Sequence, residues 1–491
     1  MENNVLVNAN SKEKLVDVIF QETCEADNGS GSRVLGVTAS SRVTGCEVLK
    51  GELRASVKTS FRIIKCGESG NCYSETAETE STHTISDANI TPSAFALLTA
   101  TVTNCEKSVS AVVRCKASVS LGGWYLKERS VSFLSAANEN LFCKTALKKI
   151  ENVTPAAGSE LALNFTDEAR MPIETLLDYC GGVNIANVYP SGGSYRVEGD
   201  VNYRVLTIAD NGEFVSQSYS HPFATDIPDE KVDGDTKLDI EGWVDRLSFS
   251  VTESDKRVIV CDVTLKFAGT AASETEIESV SDAYSTTNEI KITSEEQSVS
   301  THFCLRSVRE KASAVIKADG GATEILGLTS PMTEVDSSVQ KGDGLTVDGI
   351  IRTTVLYLNE DNKFVSLDAE VPFSSVIGND YTCESIFSPS VNVSAINARL
   401  RGGVDIEITV ELMVTVRGVS DETLGIVSGV EIGAEKEQDD FAISLYIVKQ
   451  GETLWDVAKY LNTDEAKLAE QNADVEMPLK GGEKIILYKN L

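Results

Sequence analysis

Acid–base and metal chemistry in a chain of this kind would run through histidines, cysteines and clustered carboxylates, and here these are few or scattered. The three histidines are His83 in a Glu/Thr-rich stretch, His221 just before Pro222, and His302 near Cys304. Each reads as a surface or edge residue ahead of a general base or a ligand. The cysteines number 11, an odd count, and seven fall in the first 143 residues, so no complete disulfide framework is implied. Cys66 and Cys72 could join Cys24, Cys46 or Cys105 around zinc, but structural zinc sites use tighter knuckles. Cys115 and Cys261 sit at matching places in two similar segments and read as core thiols. The acidic runs 75–80, 226–235 and 274–282 read first as solvated faces, second as attraction for a basic partner, and third as metal ligands. No phosphate-binding Gly-x-x-x-x-Gly-Lys-Ser/Thr loop, His-Glu-x-x-His helix or Gly-x-Ser-x-Gly elbow occurs. The expectation is a protein that is not an enzyme, with no catalytic residue, no metal and no cofactor.

One spacing does suggest binding. In Tyr446-Ile-Val-Lys-Gln-Gly-Glu-Thr-Leu-Trp455 a short strand turns at Gly451, and Thr453 can N-cap a helix with Leu454, Val457, Ala458 and Leu461 on its apolar face. Asn462-Thr-Asp464 restarts a second helix carrying Leu468 and Ala469. Pro478 and Gly481-Gly482 then turn the chain into a last strand, 484–488. The expected unit over 445–491 is β-α-α-β.

The rest of the chain supplies the elements that must position this unit. Segments 256–267, 347–358 and 404–416 alternate apolar and polar residues with period two, the pattern of half-buried antiparallel strands. Sliding the sequence by 150 residues lays 194–223 on 344–373 without a gap, with nine identities including Gly199/Gly349, Leu206/Leu356 and Pro222-Phe223/Pro372-Phe373. A more divergent copy is expected in the first 150 residues, with Gly51 laid on Gly199 and Val112–Gly123 on Val258–Gly269. The predicted fold is mostly β: three tandem β-sandwich-like domains over 1–150, 151–297 and 298–430, an acidic linker over 431–444, and the β-α-α-β unit. The net charge of -31 resides almost wholly in the β array, since the segment from Leu445 onward carries only -2. So acidic a surface repels nucleic acid and anionic lipid. With no signal sequence and no apolar stretch long enough to span a bilayer, neither nucleic-acid binding nor membrane insertion is expected, and a cytoplasmic location is.

The segment 445–488 resembles a LysM domain. The resemblance rests on Tyr446, Val448, Gly451 to Trp455, Val457, Ala458, Leu468, Asn472, Gly482 and Ile485. It implies a shallow groove for N-acetylglucosamine polymers at Gly451, Glu452, Thr453, Leu454, Met477, Pro478 and Leu479. The segment departs from the family pattern at two places: Glu452 replaces the commoner Asp, and Leu487-Tyr488 stands where Ile-Pro usually closes the strand. The β units resemble SPOCS domains, the repeats of spore-coat-associated proteins, through Val197-Glu-Gly199, Val347-Asp-Gly349, the Pro-Phe pairs and Asp282-Ala-Tyr-Ser285. SPOCS repeats ending in LysM are similar to the clostridial coat morphogenetic proteins. That resemblance implies a scaffold in the mother-cell cytoplasm at the forespore surface. Its LysM would dock to the coat-basement ATPase (sporulation stage IV protein A) or to other coat proteins, with self-assembly through β edges. The alternative is a protein that binds peptidoglycan through LysM.

Overall fold

A computed structural model describes residues 3–28, 32–68, 70–136, 141–318, 320–341, 344–378, 385–387, 389–402, 404–437 and 442–488. The alternating runs become strands with one buried face, as the sequence pattern requires. The first group is β1 (Asn3–Asn8), β2 (Ser11–Lys14), β3 (Val18–Asp27), β4 (Arg33–Leu49), β5 (Glu52–Cys66), β6 (Cys72–Ser86), β7 (Ala96–Val109), β8 (Val112–Lys127) and β9 (Ser130–Ala136). The second is β10 (Phe142–Pro155), β11 (Ser159–Glu168), β12 (Ile173–Ser191), β13 (Ser194–Ala209), β14 (Phe214–Pro228), β15 (Lys237–Thr252) and β16 (Asp255–Tyr284). The third is β17 (Asn288–Lys317), β18 (Glu324–Leu328), β19 (Met332–Lys341), β20 (Gly344–Leu358), β21 (Phe364–Ile377), β22 (Ser385–Ile386), β23 (Ser390–Arg401) and β24 (Asp405–Glu435). The chain ends with β25 (Ile443–Ile447), α1 (Leu454–Tyr460), α2 (Glu465–Gln471) and β26 (Lys484–Tyr488).

Each group is a sandwich of two antiparallel sheets. In the first, β2-β8-β3 with β7 faces β4-β5-β6. In the second, β10-β16-β11 with β15 faces β12-β13-β14. In the third, β17-β24-β22 with β23 faces β18-β20-β19 with β21. The boundaries shift from those expected. The chain leaves the second group at Tyr284 and enters the third at Asn288, so a division at 297/298 cuts through β17. The acidic run starting at Glu431 is still strand to Glu435, because β24 continues in register with the start of β17.

The register relating the copies also needs correction. Gly51 sits with φ 78° in the β4–β5 hairpin turn, as Gly193 does with φ 82° in the β12–β13 turn. The residue of the first group that opposes a bulge as Gly199 and Gly349 do is Val57. Gly199 and Gly349 lie mid-strand where a Cβ would come within 2.1 Å of the Asn184 carbonyl oxygen and 2.3 Å of that of Glu334. Glycine there serves close backbone approach, whereas Gly51 serves a turn. The Val112–Gly123 match to Val258–Gly269 is borne out by the strand register, and Cys115 and Cys261 are both fully buried core thiols.

The sandwiches close into a pseudo-threefold ring. A β-bulge interrupts β4, β12 and β18 at Leu35, Leu177 and Leu326, each bulge lying at the same place relative to its partner strand. These leucines meet in one apolar cluster with Ile64, Leu206 and Leu356 from the paired strands, and with Cys66 and Cys72. Full burial of one such leucine contributes about 1.5–3 kcal/mol. Beside this cluster Asp178 of the second unit, 1% exposed, accepts from Arg62 Nη1 of the first (2.9 Å) and from Ser330 N of the third (2.6 Å). At a second junction Lys12 of the first unit pairs with Asp239 of the second at 2.6 Å, and Arg417 of the third reaches the same carboxylate at 3.2 Å. Trp124 lies under the Lys12 ammonium at 3.8 Å from the ring centroid and donates its indole N–H to Glu241 at 2.8 Å. Burial opposes ionisation of Asp239, but Lys12 and Arg417 outweigh it and hold its pKa down.

Beyond the sandwiches, β1/β9, β10 with the end of β16, and the start of β17 with the end of β24 form three two-stranded ribbons. They pack around Phe133, Leu134, Ile277, Val280, Ile426 and Val427. Among the described residues no helix is long and apolar enough to cross a membrane.

Candidate functional site

The C-terminal unit forms as its sequence dictates. Thr453, in extended conformation, caps α1 in a capping box with Asp456: Thr453 N donates to Asp456 Oδ2 at 2.8 Å, and Asp456 N donates to Thr453 Oγ1 at 3.4 Å. Asp464 caps α2 by accepting from Ala466 N at 2.9 Å. β25 and β26 pair antiparallel, and Asn472 ties α2 to the last strand by accepting from Ile486 N at 2.8 Å and donating to the Ile486 carbonyl at 2.7 Å.

The two loops carrying the expected groove residues lie side by side. Gly482 N donates to the Val448 carbonyl at 2.8 Å, and a Cβ on Gly481 would stand 3.2 Å from Gln450 Cα. Gly451 takes φ 88°, so the turn into α1 uses the left-handed region. Glu452 accepts from the Tyr446 hydroxyl at 2.8 Å and from Lys449 N at 2.8 Å, so it braces its own loop. The Lys449 backbone hydrogen bond is the main cause that keeps the Glu452 pKa below its usual value. Gly451, Thr453, Met477 and Pro478 are exposed, with Met477 at 51%. Leu454 and Leu479 are half-buried against the unit's core of Val448, Trp455, Val457, Leu468 and Ile485. Among the seven expected residues, then, four present surface, Glu452 braces, and two leucines form the wall beneath.

Residues 446–478 match the LysM domain family. No curated protein matches the chain, and no solved structure does.

The LysM domain is fixed to the β body by residues outside its groove. Trp455 Nε1 donates to Asp282 Oδ2 at 2.8 Å, and Lys459 Nζ donates to both Asp282 oxygens at 2.7 and 2.9 Å. Tyr284, 1% exposed, packs edge-on to Trp455 with centroids 4.8 Å apart and donates its hydroxyl to the Thr463 carbonyl at 2.8 Å. Phe142 stacks on Tyr284, and Lys436 Nζ bridges the Ser285 carbonyl and Asn462 Oδ1. Asp282-Ala-Tyr-Ser285, which in sequence reads as part of a repeat signature, is therefore the seat of the LysM domain. The signal available in sequence was a tyrosine beside an aspartate at the end of a long alternating strand, with nothing to indicate a partner nearly 180 residues away.

The histidines have local roles. His83 stacks on Phe20 and shares a hydrogen bond with Ser81 Oγ at 2.8 Å. His221 stacks on Phe165, with Nε2 3.0 Å from Asp167 Oδ2; that carboxylate also accepts from the Tyr203 hydroxyl. The side chain of His302 lies outside the described residues. Cys66 and Cys72 oppose each other across β5 and β6, and Cys24 opposes Cys115. No group of three or more His, Cys, Asp or Glu that could hold a metal ion occurs among the described residues.

Proposed function

We propose that the chain is a non-enzymatic scaffold that carries its LysM domain on a braced β body and binds N-acetylglucosamine polymers, peptidoglycan above all, through the loops 451–454 and 477–479. The observation that carries this reading is the division of labour within the domain. Trp455, Lys459, Asn462 and Thr463 face the body, while Gly451, Thr453, Met477 and Pro478 stay exposed. The loops carry one acid, Glu452, already engaged by Tyr446 and Lys449, so an uncharged polymer suits them better than it suits the acidic body. Titration of the full chain with chitin oligosaccharides tests it by NMR. Shifts confined to 451–454 and 477–479 support the reading, and shifts absent there overturn it.

A finer reading places this scaffold at the forespore surface in the mother-cell cytoplasm, helping to assemble the spore coat, with the same LysM loops docking to the coat-basement ATPase. Its support is the threefold repetition of the β unit and the resemblance of those units to SPOCS domains. Co-purification of tagged protein from sporulating cells separates the two: recovery of the ATPase, lost on deleting 445–491, favours docking to protein.

A further inference from the structure

The pseudo-threefold ring has three equivalent interfaces, and one of them is left unfilled. In each, the outer face of one unit's sheet packs on a bulged edge strand of the next unit. The bulge residue is Thr103 in β7, Asp245 in β15 and Ser394 in β23. Between the third and first units, Arg352 fills the gap: its Nη1 donates to the Thr103 carbonyl at 3.0 Å, and its Nε pairs with Glu370 at 2.9 Å. Between the first and second units, Arg42 Nη1 reaches the Asp245 carbonyl at 2.9 Å and its carboxylate at 3.2 Å.

Between the second and third units both arginines are replaced. The counterpart of Arg352 is Asn202, that of Glu370 is Ser220, and Asn184 stands where the first unit has Arg42. These short side chains leave a cavity of about 330 Å³ lined by residues including Asn202, Ser218, Ser220, Thr333, Asn392 and Ser394. Gly182 keeps one wall low, and Asn392 comes close to it, with its Oδ1 3.0 Å from where a Cβ would be. The charged group in the lining, Arg204, donates to the Thr329 carbonyl at 2.7 Å.

We propose that this cavity is a binding site for a neutral sugar of one or two rings. Its volume lies in the range of small-ligand sites. Its polar groups are amides and hydroxyls, which both donate and accept, as sugar hydroxyls require. An anion would meet one cation already engaged, and a purely apolar ligand would leave the amides unpaired. The site stands independently of the LysM groove.

Full-length protein is titrated by calorimetry with N-acetylglucosamine, its β-1,4-linked dimer, glucose and trehalose, in a Met477→Glu background that weakens binding at the LysM loops. At least one sugar is expected to saturate one site with a Kd at or below about 1 mM. Asn202→Arg, which restores the side chain found in the third unit, is expected to weaken that binding at least tenfold. Ser394→Tyr, at an exposed bulge position, does the same by a separate route should Asn202→Arg fail to fold. Saturation by none of the four sugars, unchanged affinity in a folded variant, or tighter binding of inorganic phosphate than of any sugar overturns the proposal.

Discussion

Replacing Asp282 by alanine should loosen the LysM domain from the β body, and the cost can be worked from the contacts. The carboxylate accepts from the Trp455 indole at 2.8 Å, and Trp455 is only 7% exposed, so its N–H is left buried without this acceptor. A hydrogen bond to a charged acceptor contributes about 1.5–3 kcal/mol. The Lys459 side chain is 40% exposed, so its ion pair adds no more than about 1 kcal/mol after solvent screening. Together the loss is about 1.5–4 kcal/mol of docking, which is about a 10- to 900-fold rise in the undocked population. The assay is hydrogen exchange at the Trp455 indole, one of only three indoles in the chain, followed by NMR. Protection should drop by that factor while the amides of Leu177 and Leu206 keep theirs. Unchanged Trp455 protection would refute the assignment of Asp282 as the seat, and simultaneous loss at Leu177 would show global unfolding instead.

Other outcomes follow from the same geometry. Leu177→Ala, at a fully buried bulge shared by three units, should cost about 2.7–5 kcal/mol and lower the melting of all three sandwiches together; a separate transition of the second unit alone in calorimetry would contradict the closed ring. Lys12→Ala, which leaves the buried Asp239 and half-buried Glu241 to Arg417, should destabilise by about 3–5 kcal/mol, and Lys12→Met by less, in urea unfolding. Burial disfavours the charged form of Asp282, but the bonds from Lys459 and Trp455 outweigh it and hold its pKa below 3.8. A depressed folded value means that the docking contribution is fully present above pH 4 and is lost as pH falls through the folded pKa. The Trp455 indole resonance should therefore be constant from about pH 8 to 5 and move only below about pH 4.

Strand identity and the C-terminal unit were legible because both rest on local periodicity: one buried face every second residue in β13 and β20, and a Thr453 cap followed by Val457 and Ala458 in α1. The 150-residue repeat was legible because Gly199 and Gly349 are held by the same backbone approach. The first unit was misregistered for a physical reason. Its residue at that place is Val57, so the nearest glycine, Gly51, belongs to a turn and drew the alignment six residues away. The ring itself was hidden because Leu35, Leu177 and Leu326 sit on bulges, where the period-two pattern slips and an apolar residue points away from its own sandwich. The groove loops could be named from sequence, but not which of their leucines serve as wall. Leu454 and Leu479 differ from Met477 only in packing against residues brought in by folding.

Sedimentation of the full chain with purified, protein-free peptidoglycan tests the central claim most directly. The account predicts saturable binding that Met477→Glu, at a residue 51% exposed and outside the domain's core, weakens about tenfold, or about 1.4 kcal/mol, while Trp455 keeps its protection. Absence of binding, or equal binding by the folded variant, would contradict it.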